Sequence, residues 1–315
     1  MSAQSRLARD LRLADRFAGQ LTLGNDETLL LTGSVTLPFE TPGGDIDVIL
    51  ITPNESRIEE LAARRSGERR TEQIANGYAM CYLRADSGEE IDVEVWPTRT
   101  VLAAAAALDT GIRDLAAVEA DFTRVGGLDV KVGTDLMHAL GWGMPVVGAE
   151  VLDRLREAVP WPAYQAFKRD AALVNVRDAT KGIPASIRDG RPDEAYLKLC
   201  WAADSLVDAL IFHFGLSITR WKWRLRYTDL LPERVGDWYR RVRFEPVLDS
   251  AWLGEQVDVL CRTWQAYAGS TPEPLHSPTP AVGRAPASHT DHHAPRGGNE
   301  EWTSSGTSPS SSTPG

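Results

Sequence analysis

Residues 33–47 are rich in glycine and proline and lie between two apolar runs, and this arrangement restricts the possible folds of the chain more than any other feature. The first run is Thr28–Thr32, and the second covers residues 48–51. Short apolar runs bounded by turn-forming residues are typical of buried strands. We therefore expect a strand that ends at Gly33-Ser34, then a loop, and then a second strand.

The second strand opens with two acidic residues, Asp45 and Asp47, on either side of Ile46. Residues two apart in a strand face the same side, so both carboxylates are expected to project together while Ile46 points into the core. Two carboxylates on one face repel each other unless a cation lies between them. Magnesium prefers oxygen ligands and often shares them with substrate phosphates, so the pair indicates a metal site. The alternative is a solvated edge strand, which the flanking apolar residues disfavour.

A second acidic strand is predicted at residues 90–97, where acidic and apolar residues alternate. This alternation is typical of a half-buried strand and places Asp92 and Glu94 on one face. If this strand pairs with the strand of Asp45 and Asp47, Asp92 comes close to both. Three carboxylates would then be available to hold two metal ions.

Taken in order, these motifs resemble the nucleotidyltransferase fold of the DNA polymerase beta superfamily. The shared pattern is Gly-Ser after a strand, Asp-x-Asp ten residues further on, and a later strand with an acid between apolar residues. The resemblance covers residues 21–97. It implies that a nucleoside monophosphate is moved from a nucleoside triphosphate, such as ATP, to an acceptor hydroxyl by a two-metal mechanism that releases pyrophosphate. Many members carry Arg-Gly shortly after Gly-Ser, whereas residues 35–39 here read Val-Thr-Leu-Pro-Phe.

The resemblance also implies a role for each residue of the motifs. Gly33 and Ser34 would contact the triphosphate, and Asp45, Asp47 and Asp92 would bind magnesium, or manganese in its place. Glycine suits this position because it lets the backbone come close to a phosphate, and a serine hydroxyl can donate a hydrogen bond to it. A Gly-Ser pair alone is common in turns, so the prediction that Gly33 and Ser34 bind phosphate depends on the three acids.

Glu94 lies on the face of Asp92 but two residues further along the strand, about 6 to 7 Å away. A carboxylate near a metal-bound substrate can accept the proton of an acceptor hydroxyl, so Glu94 is a candidate general base. A solvent-facing role is an equal alternative, and the sequence does not decide between the two.

Cations and aromatic residues cluster at residues 221–227. Members of the superfamily often close a helical domain over the nucleotide, so the resemblance implies that Lys222 and Arg224 clamp its phosphates. The favoured alternative is an ordinary helix that packs its tryptophans into the core and keeps its cations at the surface.

The composition of the 315-residue chain is that of a soluble globular protein, with 43% hydrophobic and 25% charged residues. A net charge of −10 argues against nucleic acid as a partner, since such binding depends on Lys and Arg that neutralise phosphates. Three widely spaced cysteines suit reduced thiols and predict a cytoplasmic protein. We recognise no signal peptide and no apolar run near the roughly 18 residues of a membrane span, so no membrane partner is expected. The oligomeric state is left open.

The order of the patterns predicts an α+β fold: a nucleotidyltransferase-like mixed sheet with helices, followed by an α-helical bundle. We place the catalytic domain at residues 1–125, the helical domain at 126–268 and a tail at 269–315. The tail consists largely of Ser, Thr, Pro, Gly and His, and we expect it to be disordered because it cannot bury enough apolar surface.

Several further elements are expected from periodicity and turn signals. These are helices at 2–20, 55–70, 101–107, 112–123, 129–140, 160–180, 192–214, 233–244 and 246–267, a strand at 78–83 in a hairpin with that at 90–97, and a tight connection at 141–145.

Three functions agree with these observations. The first is an enzyme that transfers a nucleoside monophosphate to a small molecule, which the acidic charge favours. The second adds nucleotides to RNA or to a protein side chain. The third is a non-catalytic nucleotide-binding regulatory module, which the intact set of three acids disfavours.

Overall fold

The computed structural model describes residues 3–37, 39, 45–54, 56–63, 72–74, 78–84, 89–111, 124–125 and 128–267. This part of the chain forms two compact units. The sheet unit comprises the described residues of 1–103 and 139–157, and the helical unit comprises those of 104–138 and 158–277.

The helices and strands follow one another along the chain. They are α1 (Ala3–Gln20), β1 (Thr28–Thr32), a 3₁₀ helix (Gly33–Thr36), β2 (Ile46–Thr52), α2 (Ser56–Ala63), β3 (Glu72–Ile74), β4 (Tyr78–Arg84), β5 (Glu90–Pro97), α3 (Thr98–Gly111), β6 (Arg124–Val125), β7 (Leu128–Asp129), α4 (Val130–Trp142), β8 (Met144–Val147), α5 (Ala149–Glu157), α6 (Trp161–Arg188), α7 (Pro192–His213), a 3₁₀ helix (Trp221–Trp223), α8 (Arg224–Tyr227), a 3₁₀ helix (Thr228–Leu230), α9 (Glu233–Phe244) and α10 (Ser250–Tyr267).

The sheet unit is built on a mixed sheet of six strands in the order β3-β4-β5-β2-β1-β8. β2 and β5 run parallel at its centre, and the other neighbouring pairs are antiparallel. β1 is buried along its whole length, and β2 is buried except at Asp47. Strands covered on both faces read as continuous apolar runs, which is why these two were visible in the sequence.

One face of the central strands forms a core with α1. Ile46 and Val48 of β2 and Ile91 of β5 pack in one buried cluster with Ala14 and Phe17 of α1. Because side chains alternate between the faces of a sheet, the acids between these residues lie on the opposite face from this core. The predicted burial of Ile46 is confirmed.

α7 is the central helix of the helical unit. It packs lengthwise against α6, and α9 and α10 also pack on it. The predicted apolar stripe of Leu199, Ala203, Leu206 and Leu210 is buried. The helical unit therefore has a core of its own, organised around one helix.

The α+β class and most predicted elements are confirmed. β1 and β5 have the predicted bounds, and β4 and β5 form the predicted antiparallel hairpin. α6 is longer than predicted, since it continues to Arg188. The predicted helix at 112–123, the end of that at 55–70 and the tail at 269–315 lie outside the described residues.

The sequence analysis missed the short strands β3, β6 and β7, and it also missed β8. Residues 141–145 were expected to be a connection, but Met144–Val147 pairs with β1 at the edge of the sheet. Residues 139–157 therefore belong to the sheet unit and not to the helical part to which the sequence assigned them. The first stretch of the sheet unit ends at residue 103, before the predicted boundary at residue 125. The roles assigned to the two domains stay predictions.

None of the described helices is both long enough and apolar enough to cross a membrane.

Gly148 generates a prediction about how tightly β8 is joined to β1. Its φ is 73°, and a Cβ at this position would lie 2.2 Å from the carbonyl oxygen of Glu27. Gly190 has a φ of 69°, but a Cβ there would meet no atom within 4 Å. We expect Gly148→Ala to lower the free energy of unfolding by about 3 kcal/mol and Gly190→Ala by about 1 kcal/mol, because both strain the backbone but only the first displaces a neighbour.

Urea denaturation followed by circular dichroism measures both changes. Equal losses in the two variants would contradict the close packing of Gly148 on the chain before β1.

Candidate functional site

The predicted acids of two strands meet on one face of the sheet. Asp47 of β2 and Asp92 of β5 are register partners in the parallel pair. Neighbouring strands lie about 4.8 Å apart, so the two side chains are direct neighbours. Both are half-buried. The pairing of these strands, on which the sequence interpretation depended, is confirmed.

Gly33 lies directly against this pair. Thr32, the last residue of β1, is the register partner of Asp47 on the other side of β2. Gly33 follows with a φ of 75°, and a Cβ there would lie 1.9 Å from Oδ2 of Asp47. A side chain at position 33 would displace the carboxylate, so the site requires glycine for steric reasons and for its left-handed backbone. The Gly-Ser corner and the acid pair therefore meet at one point.

Arg6 of α1 belongs to this site, and the sequence analysis missed it. Arg6 is only 3% exposed, and its Nη2 donates a hydrogen bond to Oγ of Ser34 at 3.1 Å. Its Nε lies 3.3 Å from Oδ2 of Asp10, which is fully buried. Arg9 contacts the other oxygen of Asp10 at 2.7 Å. α1 thus holds a buried cation against the Gly-Ser corner.

The sequence did contain a signal for Arg6. Arg6 and Asp10 are four residues apart, and Ala14 continues the same buried stripe of α1. Opposite charges at this spacing on an otherwise apolar helix face indicate a buried ion pair, because a helix normally turns its charges to solvent.

Asp45 does not complete a group of three acids. It precedes the first residue of β2 and is exposed. Among the described residues, no group of three or more His, Cys, Asp and Glu side chains is arranged to hold a metal ion. Residues 40–44, which lead into Asp45, are outside the described part of the chain. A metal site with all three acids stays a prediction.

The donor set that the strands do bring together still fits magnesium. Two neighbouring carboxylates, Asp47 and Asp92, repel each other and would bind a cation favourably. Magnesium is usually held by one or two carboxylates plus substrate phosphates, and a full cage of protein ligands is not needed. The pair therefore suits a metal that arrives with a nucleotide.

Glu94 is a half-buried carboxylate with a defined orientation. Its Oε2 accepts a hydrogen bond from Nε1 of Trp96 at 2.9 Å. Trp96 is buried and stacks on Tyr78, with ring centroids 4.1 Å apart. Because burial and stacking fix the indole of Trp96, its hydrogen bond orients Glu94 on the face that carries Asp92. The role of Glu94 as a base stays a prediction.

Lys222 and Arg224 belong to the helical unit. Lys222 is exposed, and its Nζ lies 4.9 Å from the centre of the Trp223 ring. Arg224 donates hydrogen bonds of 2.7 and 2.8 Å to Asp208 and lies 3.0 Å from Asp204. Burial alone would lower the pKa of Arg224, but the two carboxylates outweigh burial and raise it. Arg224 thus has a structural role already, and the clamping of phosphates by either cation stays a prediction.

Comparisons with known proteins give little further guidance. No family model matches the chain, and no curated protein matches its sequence. A solved structure described as a nucleotidyltransferase-like protein from Exiguobacterium sibiricum 255-15 is similar over 82% of this chain and 74% of that one, with 12% identity and a TM-score of 0.40. This likeness is too distant to carry an argument about function.

The ion pair of α1 generates a prediction about the stability of the site. Arg6→Met removes the buried cation and leaves the buried carboxylate of Asp10 with Arg9 as its remaining partner, so we expect the free energy of unfolding to fall by about 2 kcal/mol. Arg9→Met is the matched control, because Arg9 contacts the same carboxylate from a half-buried position. We expect Arg9→Met to lower the free energy of unfolding by less than about 1 kcal/mol.

Chemical denaturation gives both values, and the double variant Arg6→Met/Asp10→Asn should recover part of the loss because the buried charge is gone. Equal effects of Arg6→Met and Arg9→Met would contradict the larger contribution expected of the buried cation.

Proposed function

We propose that this chain is a nucleotidyltransferase, which moves a nucleoside monophosphate from a nucleoside triphosphate to a hydroxyl group of a small molecule. The observation that carries the proposal is the register pairing of Asp47 with Asp92 directly beside Gly33. Two neighbouring carboxylates beside a glycine corner form a donor set that suits a metal ion held together with phosphates.

The acid pair and the corner have complementary roles in the proposed site. Asp47 and Asp92 would hold magnesium or manganese together with the phosphates, and such an ion neutralises phosphate charge and activates the attacking oxygen. Gly33 has no Cβ, so a phosphate can approach the backbone there. Ser34 can donate its N–H and its hydroxyl to a phosphate oxygen. Arg6 orients that hydroxyl and adds positive charge on the same side.

The reaction needs no covalent intermediate on the protein. The oxygen of the acceptor hydroxyl attacks the α-phosphorus, the bond from this phosphorus to the bridging oxygen breaks, and pyrophosphate leaves. The hydroxyl proton passes to a base, and we assign that role to Glu94. Its position on the face of Asp92 and its hydrogen bond from Trp96 support the assignment, because a base must be held within reach of the proton it accepts.

A small-molecule acceptor is favoured over nucleic acid because the chain carries a net charge of −10. One observation favours a non-catalytic nucleotide-binding module as the second candidate: the described residues do not assemble a group of three acids. The two candidates differ in whether pyrophosphate is released.

The proposal predicts activity that depends on both acids. The purified chain is incubated with magnesium, each labelled nucleoside triphosphate in turn and a cell extract as the acceptor pool, and pyrophosphate and the mass of any adduct are measured. We expect one nucleotide to support pyrophosphate release, and Asp47→Asn and Asp92→Asn to reduce it about 100-fold or more, because each removes charge that stabilises the transition state.

Asp153→Asn is the matched control, since Asp153 is an exposed aspartate of the sheet unit and should leave the rate unchanged. Glu94→Gln should retain nucleotide binding but lose turnover. Wild-type rates in both Asp47→Asn and Asp92→Asn would exclude the proposed site, and magnesium-dependent nucleotide binding without pyrophosphate release would favour the non-catalytic module.

A further inference from the structure

The helical unit contains a cavity of about 330 Å³ to which the proposed reaction gives no role. It lies between α6, α7 and the segment that follows α7, and all its lining residues belong to the helical unit. Its volume is in the range of small-molecule sites, which occur preferentially between helices of a bundle. Charged and aromatic side chains are prominent among the residues that line it.

Cations dominate the wall of this cavity. Lys168, Arg220 and Arg224 line it, against a single carboxylate, Asp208. Arg224 donates two hydrogen bonds to Asp208 and also lies 3.0 Å from Asp204, which does not line the cavity. Asp135, outside the lining, lies 3.8 Å from Arg220, at the outer limit of an ion pair. Among the lining residues themselves, three cations thus face one carboxylate.

Lys168 and Arg220 both lower the pKa of one buried histidine, His138. The imidazole of His138 is buried, with Nδ1 3.0 Å from Oγ of Ser217. Burial lowers the pKa of His138, and the charges of Lys168 and Arg220 lower it further, to about 4. Both cations thus act on one buried ring from the same region, and the neutral imidazole adds no charge to it.

Trp221 adds an aromatic surface to the cavity. It lines the cavity and is 79% exposed, so the expectation that the tryptophans of this segment pack into the core is wrong for Trp221. Phe212 lies under Lys168, whose Nζ is 5.4 Å from the ring centre. Leaving a large ring in water has a free-energy cost that a planar ligand stacked on it would remove.

We propose that this cavity binds a small planar molecule that carries one phosphate or carboxylate group. The anionic group lies near Lys168 and Arg220, both of which can donate charge-assisted hydrogen bonds to it, and the planar group stacks on Trp221. Asn175 and Thr219, which also line the cavity, provide hydrogen bonds to polar atoms of the ligand. The inference does not depend on the transferase activity, since no residue of the acid pair takes part.

The test uses fluorine NMR of the full chain labelled with 5-fluorotryptophan, which gives each tryptophan its own resonance. The resonance missing from Trp221→Phe identifies Trp221, and Trp201→Phe identifies a control on α7 that is 52% exposed and does not line the cavity. Phenyl phosphate and phenylacetate are the probes. Benzyl alcohol and inorganic phosphate present the ring and the anion separately.

We expect phenyl phosphate, phenylacetate or both to shift the Trp221 resonance saturably and to leave that of Trp201 in place. The probe that binds more tightly identifies the anion. Lys168→Met and Arg220→Gln should each weaken binding about tenfold, because each removes a charge-assisted hydrogen bond. Lys181→Met, which alters an exposed lysine of α6 away from the cavity, should not change it.

Three results would overturn the inference. They are a Trp221 resonance that neither anionic probe shifts, a shift by benzyl alcohol at the same concentrations as phenyl phosphate, and unchanged affinity in both Lys168→Met and Arg220→Gln.

Discussion

The repulsion between Asp47 and Asp92 is the constraint on which the account of the sheet unit depends. Parallel pairing of β2 and β5 brings the two carboxylates into register, and the strands cannot separate them without giving up the apolar contacts of Ile46 and Ile91 on the other face. Further along β2, the position on the same face is taken by buried Ile49.

The described surroundings of the acid pair include a glycine corner and a buried cation. Gly33 allows no side chain above Asp47, so the space beside the carboxylate is left to the backbone and to whatever binds there. Arg6 approaches the corner through Ser34 and is held by Asp10, so its charge is fixed in place by α1. Negative and positive groups thus flank a backbone corner, an arrangement suited to a metal–phosphate complex.

Much of this arrangement could be predicted because local patterns determine it. The apolar runs identified β1 and β2, since central strands are covered on both faces, and alternation placed the acids of β2 and β5 away from the core. The pairing of β2 with β5 joins residues far apart in the chain, so local patterns do not predict it. The sequence analysis could therefore only state that Asp92 lies near Asp47 if the two strands pair. β8 escaped prediction because it is short, lies at the sheet edge and contains exposed Pro145, which is tolerated only in such strands.

Sequence reasoning failed at residues that break the usual inside–outside rule. Arg6 is charged and buried, whereas Trp221 is large, aromatic and exposed. Pattern-based prediction assigns apolar residues to the core and charges to solvent, so it fails at such positions. Departures from local rules are expected where a site needs a charge or a ring in a particular place.

Manganese binding measured by electron paramagnetic resonance tests the central claim most directly, because it reads the acid pair without requiring an acceptor. The full chain is titrated with Mn²⁺ in the presence of a non-hydrolysable nucleoside triphosphate analogue, for each of the common bases. If Asp47 and Asp92 hold the ion together, binding depends on the nucleotide and weakens about tenfold or more in Asp47→Asn and in Asp92→Asn. The same manganese affinity in the wild-type chain and in both variants would contradict the account.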